Sequence, residues 1–244
     1  MSSTSKQTAT TVADVDTARR SVSLSGVVAV ILIFAGTAAG GNAPNGKASV
    51  PTVVAFYGSH SGAQTASGVL LSLGALLFLI FAATLAARIR RIEGAALGAP
   101  TLCLVGAGAL VAGLAVFAGL SITISDVAGE VGGPVLQTLN VLANDAAFVF
   151  LITIGTSAFL VGAAAAVFTT GLLPRWLGWF AIVIAIVGAI PSHVLGGALD
   201  HIGFLAFVGL GVWAVTAGVL LAREPRPFEG DARGLRQAPI GSAG

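Results

Sequence analysis

Six stretches of the chain, residues 23–39, 67–87, 101–120, 146–169, 173–190 and 202–222, are apolar or small at nearly every position. None carries a carboxylate, Lys or His away from its ends, and Arg175 stands at the first turn of the fifth. A helix rising about 1.5 Å per residue needs about 20 such residues to cross a hydrocarbon core of about 30 Å. Each stretch is therefore expected to be a transmembrane helix. A membrane β-barrel is excluded, because its strands would be about ten residues long and alternate polar with apolar. Pro100 and Pro174 fall in first-turn positions, where a missing N–H costs nothing. Pro191 is expected to end or kink the fifth helix.

Between these runs, residues 40–66 and 121–145 form connections too small for a separate domain but large enough for a cap. In the second, Gly132-Gly133-Pro134 breaks the chain, and Val135, Leu136, Leu139, Leu142 and Ala143 then recur at helical spacing. The fourth helix is expected to begin near Val135 and run on as one long helix. The polar ends, 1–21 and 223–244, cannot bury enough apolar surface to order themselves and are expected to be flexible tails around a transmembrane domain at 22–222. Gly68 with Ser72, Gly108 with Ala112, Ala109 with Gly113, Ala115 with Gly119 and Ala214 with Gly218 have the small-xxx-small spacing that lets helices pack closely in lipid.

Composition agrees: 56% of the residues are apolar and only 9% charged, with a mean hydropathy of +0.96. Soluble domains carry about 25% charge, so a water-soluble globule is excluded, as is disorder. A disulfide scaffold is excluded too, since Cys103 is the single cysteine. Charge then sets direction. Lys6, Arg19, Arg20, Arg88, Arg90, Arg91, Arg175, Arg223, Arg226, Arg233 and Arg236 fall on one side of a six-span map and only Lys47 on the other, where Asp126, Glu130, Asp145 and Asp200 lie. Basic residues in short loops stay on the cytoplasmic side. Both termini are thus expected in the cytoplasm of a bacterial plasma (inner) membrane. The pI of 9.2 is a topological signal that needs no nucleic acid. Trp176 and Trp179, beside Arg175, are expected to anchor the helix at the headgroup level. Arg19-Arg20 before an apolar run ending in Ala38-Ala39-Gly40 also fits a cleavable signal, but the run is long enough to span, and the anchor reading is preferred.

Chemistry-bearing motifs are missing. There is no phosphate-binding loop with its Lys, no cysteine pair, no His-Glu-x-x-His and no serine elbow. No catalytic residue and no cofactor is expected. His60, His193 and His201 all map to the side of Asp145 and Asp200, a set able to bind a divalent metal or sense pH. Their spacing matches no metal pattern, and solvated loop positions explain them more simply. A second cluster, Asn140, Asn144 and Asp145, needs hydrogen-bond partners at its depth. Gln64, Tyr57 or His60 at the near end of the second span could supply them; the alternative is a solute-binding vestibule.

The strings Leu139-Asn140, Asn144-Asp145-Ala146-Ala147-Phe148, Gly171-Leu172-Leu173-Pro174-Arg175-Trp176-Leu177-Gly178-Trp179 and Gly203-Phe204-Leu205-Ala206 resemble those of a group of uncharacterised bacterial integral membrane proteins, a domain of unknown function typical of GC-rich genomes. The resemblance runs back through His60 and the 69–91 span and covers most of residues 22–222. It implies six helices and transfers no site residue.

Three classes of function remain. The first is a structural, regulatory or partner-binding membrane protein, working with the bilayer, another membrane protein or a second copy of itself. The second is a small-solute or ion transporter or channel, disfavoured because no ionisable residue lies at mid-bilayer. The third is a membrane-embedded enzyme or an outer-face metal or pH-sensing site, limited by the lack of a nucleophile and base at readable spacing.

Overall fold

The computed structural model of the protein describes residues 24–45, 47–93, 98–144, 151–190 and 202–223. Among them every regular element is helical: α1 (Leu24–Ala39), α2 (Val50–Ser59), α3 (Ser61–Glu93), α4 (Ala99–Val127), α5 (Gly133–Val141), α6 (Thr153–Thr170), α7 (Arg175–Ala189) and α8 (Ile202–Arg223). The helices α3, α4, α6 and α8 are long and apolar enough to cross a membrane, and α1 and α7 are apolar but shorter. At 33 residues, α3 is about 50 Å long and overshoots its apolar run at both ends. Large apolar side chains cover the outside of the bundle, among them Ile31, Val105, Ile154, Val183 and Leu205, each more than half exposed. A surface of this kind suits lipid and would make a water-soluble domain aggregate. Among the described residues the fold is all-helical, with four helices long and apolar enough to cross a membrane.

Neighbouring helices run antiparallel around a closed ring. Gly26 of α1 meets the ring of Phe81 while Gly36 meets Leu71, so α1 descends as α3 rises. Gly68 of α3 packs on Ile122 of α4, Gly178 of α7 on Phe168 of α6, and Gly209 of α8 on Ile184 of α7. Gly211 of α8 closes the ring against Phe34 of α1, whose ring also tilts against Phe207 at 5.6 Å. The axis is filled. Phe78, Phe159 and Trp213 are fully buried there, with edge-to-face contacts at 5.2 Å for Phe78 with Phe159 and 5.6 Å for Phe159 with Trp213. Between α1, α3, α4 and α8, an apolar crevice lined by Ile33, Phe34, Phe78, Leu110 and Phe207 leaves about 10 Å³, room for about one water.

The tightest seam joins α4 to α6. A Cβ built on Gly106 would overlap the backbone nitrogen of Phe159, and one on Gly155 that of Leu110. A Cβ on Gly162 would lie 2.6 Å from the Cys103 nitrogen and one on Gly113 3.0 Å from that of Ile152. The four glycines alternate between the two helices, and each step of seven along α4 matches seven back along α6. Backbones can approach this closely only where no side chain intervenes, which is how helices associate when lipid supplies no hydrophobic drive. The small-xxx-small pattern divides differently from the sequence expectation. Gly68, Gly113, Ala214 and Gly218 are inside, whereas Gly108, Ala112, Ala115 and Gly119 face outward.

Two further differences concern the connections. Part of the segment expected as a loop is the short helix α2, started by Pro51 in its first turn. The fourth helix does begin near Val135; residues 142–144 and 151–152 are π-helical, and residues 145–150 lie outside the described residues. A π turn shifts the facing of everything after it, so α5 can serve the cap while α6 serves the seam. The tails 1–21 and 224–244 and Pro191 lie outside the described residues.

Candidate functional site

Polar side chains gather at the end of the bundle formed by α2 and α5. Tyr57 and Val53, one turn apart, are the buried residues of α2; Leu136 and Asn140, also one turn apart, are those of α5. Val53, Tyr57 and Leu136, together with Ile124, Ala128 and Ala143, form a second, smaller apolar core under the cap. Set into it, the Tyr57 hydroxyl donates to Asn140 Oδ1 at 3.0 Å. Asn144 Nδ2 donates to the same oxygen at 3.1 Å and to the Asn140 carbonyl at 2.9 Å. Asn140 Nδ2 in turn donates to the Asn45 carbonyl at 3.2 Å, and Asn144 Nδ2 reaches that of Pro44 at 3.4 Å. On α3, Gln64 Nε2 donates to the Gly40 carbonyl at 2.7 Å.

Three amides therefore take up the carbonyls of Gly40, Pro44 and Asn45, in a segment turned by Gly41 at φ +71° at the end of α1, where the Asn45 carbonyl also accepts from the Ala48 N–H at 3.0 Å. An unmet buried polar group costs about 1–3 kcal/mol, so the set acts as a latch joining α1, α2, α3 and α5. Nothing in it is a reactive group near neutral pH. Burial pushes the Tyr57 hydroxyl up to about 12, which keeps its proton in place to donate.

Of the residues singled out in the sequence, Tyr57, Asn140 and Asn144 are thus brought together. Gln64 belongs to the same latch but binds Gly40 rather than either asparagine. His60 is not part of it. Exposed at the α2–α3 corner, its ring stacks on Phe56 at 4.5 Å, and Nδ1 donates to the Phe56 carbonyl at 2.9 Å. Asp145, His193, Asp200 and His201 lie outside the described residues. Among the described residues no three His, Cys, Asp or Glu side chains gather where a metal could be held.

Opposite the latch, Arg175 opens α7 with Trp176 and Trp179 exposed beside it, 56% and 62% accessible. Trp179 leans edge-on against Phe168 at 5.3 Å. The third tryptophan behaves differently, because Trp213 is fully buried and its indole N–H donates to the Leu177 carbonyl at 3.1 Å. At the same end Arg88, almost wholly buried, donates from a guanidinium nitrogen to the Leu221 carbonyl of α8 at 3.2 Å. Neither contact was legible in the sequence, where Trp213 is one aromatic in an apolar run and Arg88 one charge in a basic string. The buried hydroxyls of Ser125, Thr156 and Ser157 have no partner among the described residues.

No family model, curated protein or solved structure matches the chain.

Proposed function

We propose that this is a six-span integral membrane protein whose bundle serves as a structural or partner-binding element of the membrane, with the arginine-rich end in the cytoplasm and the Tyr57–Asn140 latch facing outward. The filled axis carries this reading: Phe78, Phe159 and Trp213 occupy the place where a conduit would run. Support for six crossings comes from α1 and α7, which, though short, lie antiparallel against α3 and α6 with glycine contacts along their lengths. The distribution of arginine supports the orientation. Liposomes containing the purified protein should pass a panel of cations and small metabolites no faster than empty ones. Flux above that background would overturn the reading.

A small-solute or ion pathway stands second, on one observation. Thr156 is 1% exposed with a hydroxyl that has no partner among the described residues, and it lies one turn from Phe159 on α6, close to a π turn of the kind that often marks functional sites.

A further inference from the structure

The walls of the apolar crevice include Val30 and Phe34 of α1, Phe78 of α3, Leu110 of α4 and Leu210 of α8. Each stands near the middle of its apolar run, at 23–39, 67–87, 101–120 or 202–222. Phe78, Leu110 and Leu210 are buried, whereas Val30 and Phe34 are partly exposed and mark the mouth. Both rest on Gly211 of α8, so the mouth lies along the α1–α8 seam. That seam is the looser of the two that hold α1. Against α3 the fit is backbone to backbone, since a Cβ on Gly36 or Gly74 would lie 3.0 Å from the main-chain nitrogen of Leu71 or Ile33; against Gly211 the nearest atoms are side-chain carbons. The inner room is about 10 Å³, and with the open mouth the empty space is about 260 Å³. A buried water needs about 2–4 polar partners, and these walls are hydrocarbon. Headgroups stay at the surfaces of a core about 30 Å thick, so at mid-depth the neighbouring molecules present only the ends of acyl chains. Wall atoms that face a void forfeit dispersion contacts, and a chain end sliding in restores them without dehydrating any polar group.

We infer that the crevice between α1 and α8 takes the methyl end of a lipid acyl chain, which enters past Phe34 and lies against Phe78 and Leu110. The inference rests on the transmembrane reading, and one experiment separates the two.

The full chain is placed in phosphatidylcholine nanodiscs whose lipid carries a photoactivatable diazirine either at the terminal carbon of an acyl chain or beside its ester. After irradiation the adducts are mapped by peptide mass spectrometry. The terminal probe should mark Phe78, Leu110 and Leu210 as well as the outward Ile31, Val105 and Leu205, and the ester-side probe should leave the buried three unmarked. Val30→Phe fills the mouth and should cut the buried adducts about tenfold while keeping the outward ones, the equivalent of about 1.4 kcal/mol, on the scale of overpacking. Phe34→Ala removes the ring over Gly211 and should raise the buried adducts instead. Adducts confined to outward residues, equal marking of the buried three by both probes, or a buried yield that neither variant moves would overturn the inference. A dimer in native mass spectrometry that Val30→Phe dissolves would hand the crevice to a second copy and overturn it too. Loss of the outward adducts along with the buried ones would overturn the transmembrane reading and the inference with it.

Discussion

Replacing Gly155 or Gly106 with alanine tests the α4–α6 seam at its closest point. The new Cβ would fall on the backbone nitrogen of Leu110 or of Phe159, and a backbone atom cannot rotate aside as a side chain can. Ordinary contact for such atoms is about 3.5–4.0 Å, so the two helices must part by about 1 Å. A gap of that size forfeits about a quarter to a half of each dispersion contact along the seam, and overpacking of a core costs about 1–3 kcal/mol. For a chain of this length each kcal/mol moves the midpoint by about 2–4 °C, so Tm in mild detergent should fall by about 2–12 °C. The matched controls are Gly108→Ala and Gly119→Ala on the same helix, whose added carbon meets nothing within 4 Å. These should leave Tm unchanged or raise it slightly, since Ala is the better helix former. Once the first alanine has spread the seam the second has less to displace, so the Gly106→Ala/Gly155→Ala double variant should lose less than the sum of the singles. Equal melting of Gly155→Ala, Gly106→Ala and Gly108→Ala would refute the seam.

Three further outcomes follow from the latch and the core. Tyr57→Phe leaves Asn140 Oδ1 still bonded to Asn144 and should cost about 1 kcal/mol, whereas Asn140→Leu strands the Tyr57 hydroxyl and should cost about 1–3 kcal/mol, the Asn45 carbonyl keeping its bond from Ala48 N–H; faster amide exchange confined to residues 40–59 would check both. Tyr57 is the chain's only tyrosine, so its ultraviolet titration reads the latch directly: the midpoint should be about 12 when folded, against 10.0 when unfolded. Because that pKa is raised by folding, the stability it carries is complete below pH 10 and is lost as pH climbs toward about 12, and the cap should loosen in that window. Trp213→Phe keeps the aromatic packing but strips the Leu177 carbonyl of its donor, and should lower stability by about 1–2 kcal/mol in thermal unfolding.

The helices were legible because hydrocarbon leaves little choice: runs of this length and purity have no other stable form. Asn140 and Asn144 stood out for the converse reason, as polar groups that needed partners. Which partners they take was not legible, since Tyr57 is 83 positions from Asn140 and the choice between Tyr57, Gln64 and His60 depends on how α2 folds back. Helix α2 itself was hidden because only Val53 and Tyr57 of its ten residues are buried, too few to set a period. The seam was hidden by abundance. Among 33 glycines, four spaced by sevens on two helices do not stand out until their backbones are seen to touch, and the more familiar four-residue spacing at Gly108 and Gly119 pointed to the outward face.

Cysteine accessibility in intact cells tests the six-crossing arrangement most directly, because it asks whether short α1 and α7 pass through the bilayer like their longer neighbours. In a Cys103→Ala background, single cysteines replacing Ser21, Lys47, Arg90, Glu130, Thr170, Ser192 and Arg223 would be exposed to a membrane-impermeant maleimide. Labelling from outside is expected at 47, 130 and 192 alone, with 21, 90, 170 and 223 reached only after the membrane is opened. If 21 reacts together with 47, or 170 together with 192, then α1 or α7 does not cross; if 90 reacts and 47 does not, the bundle stands the other way up.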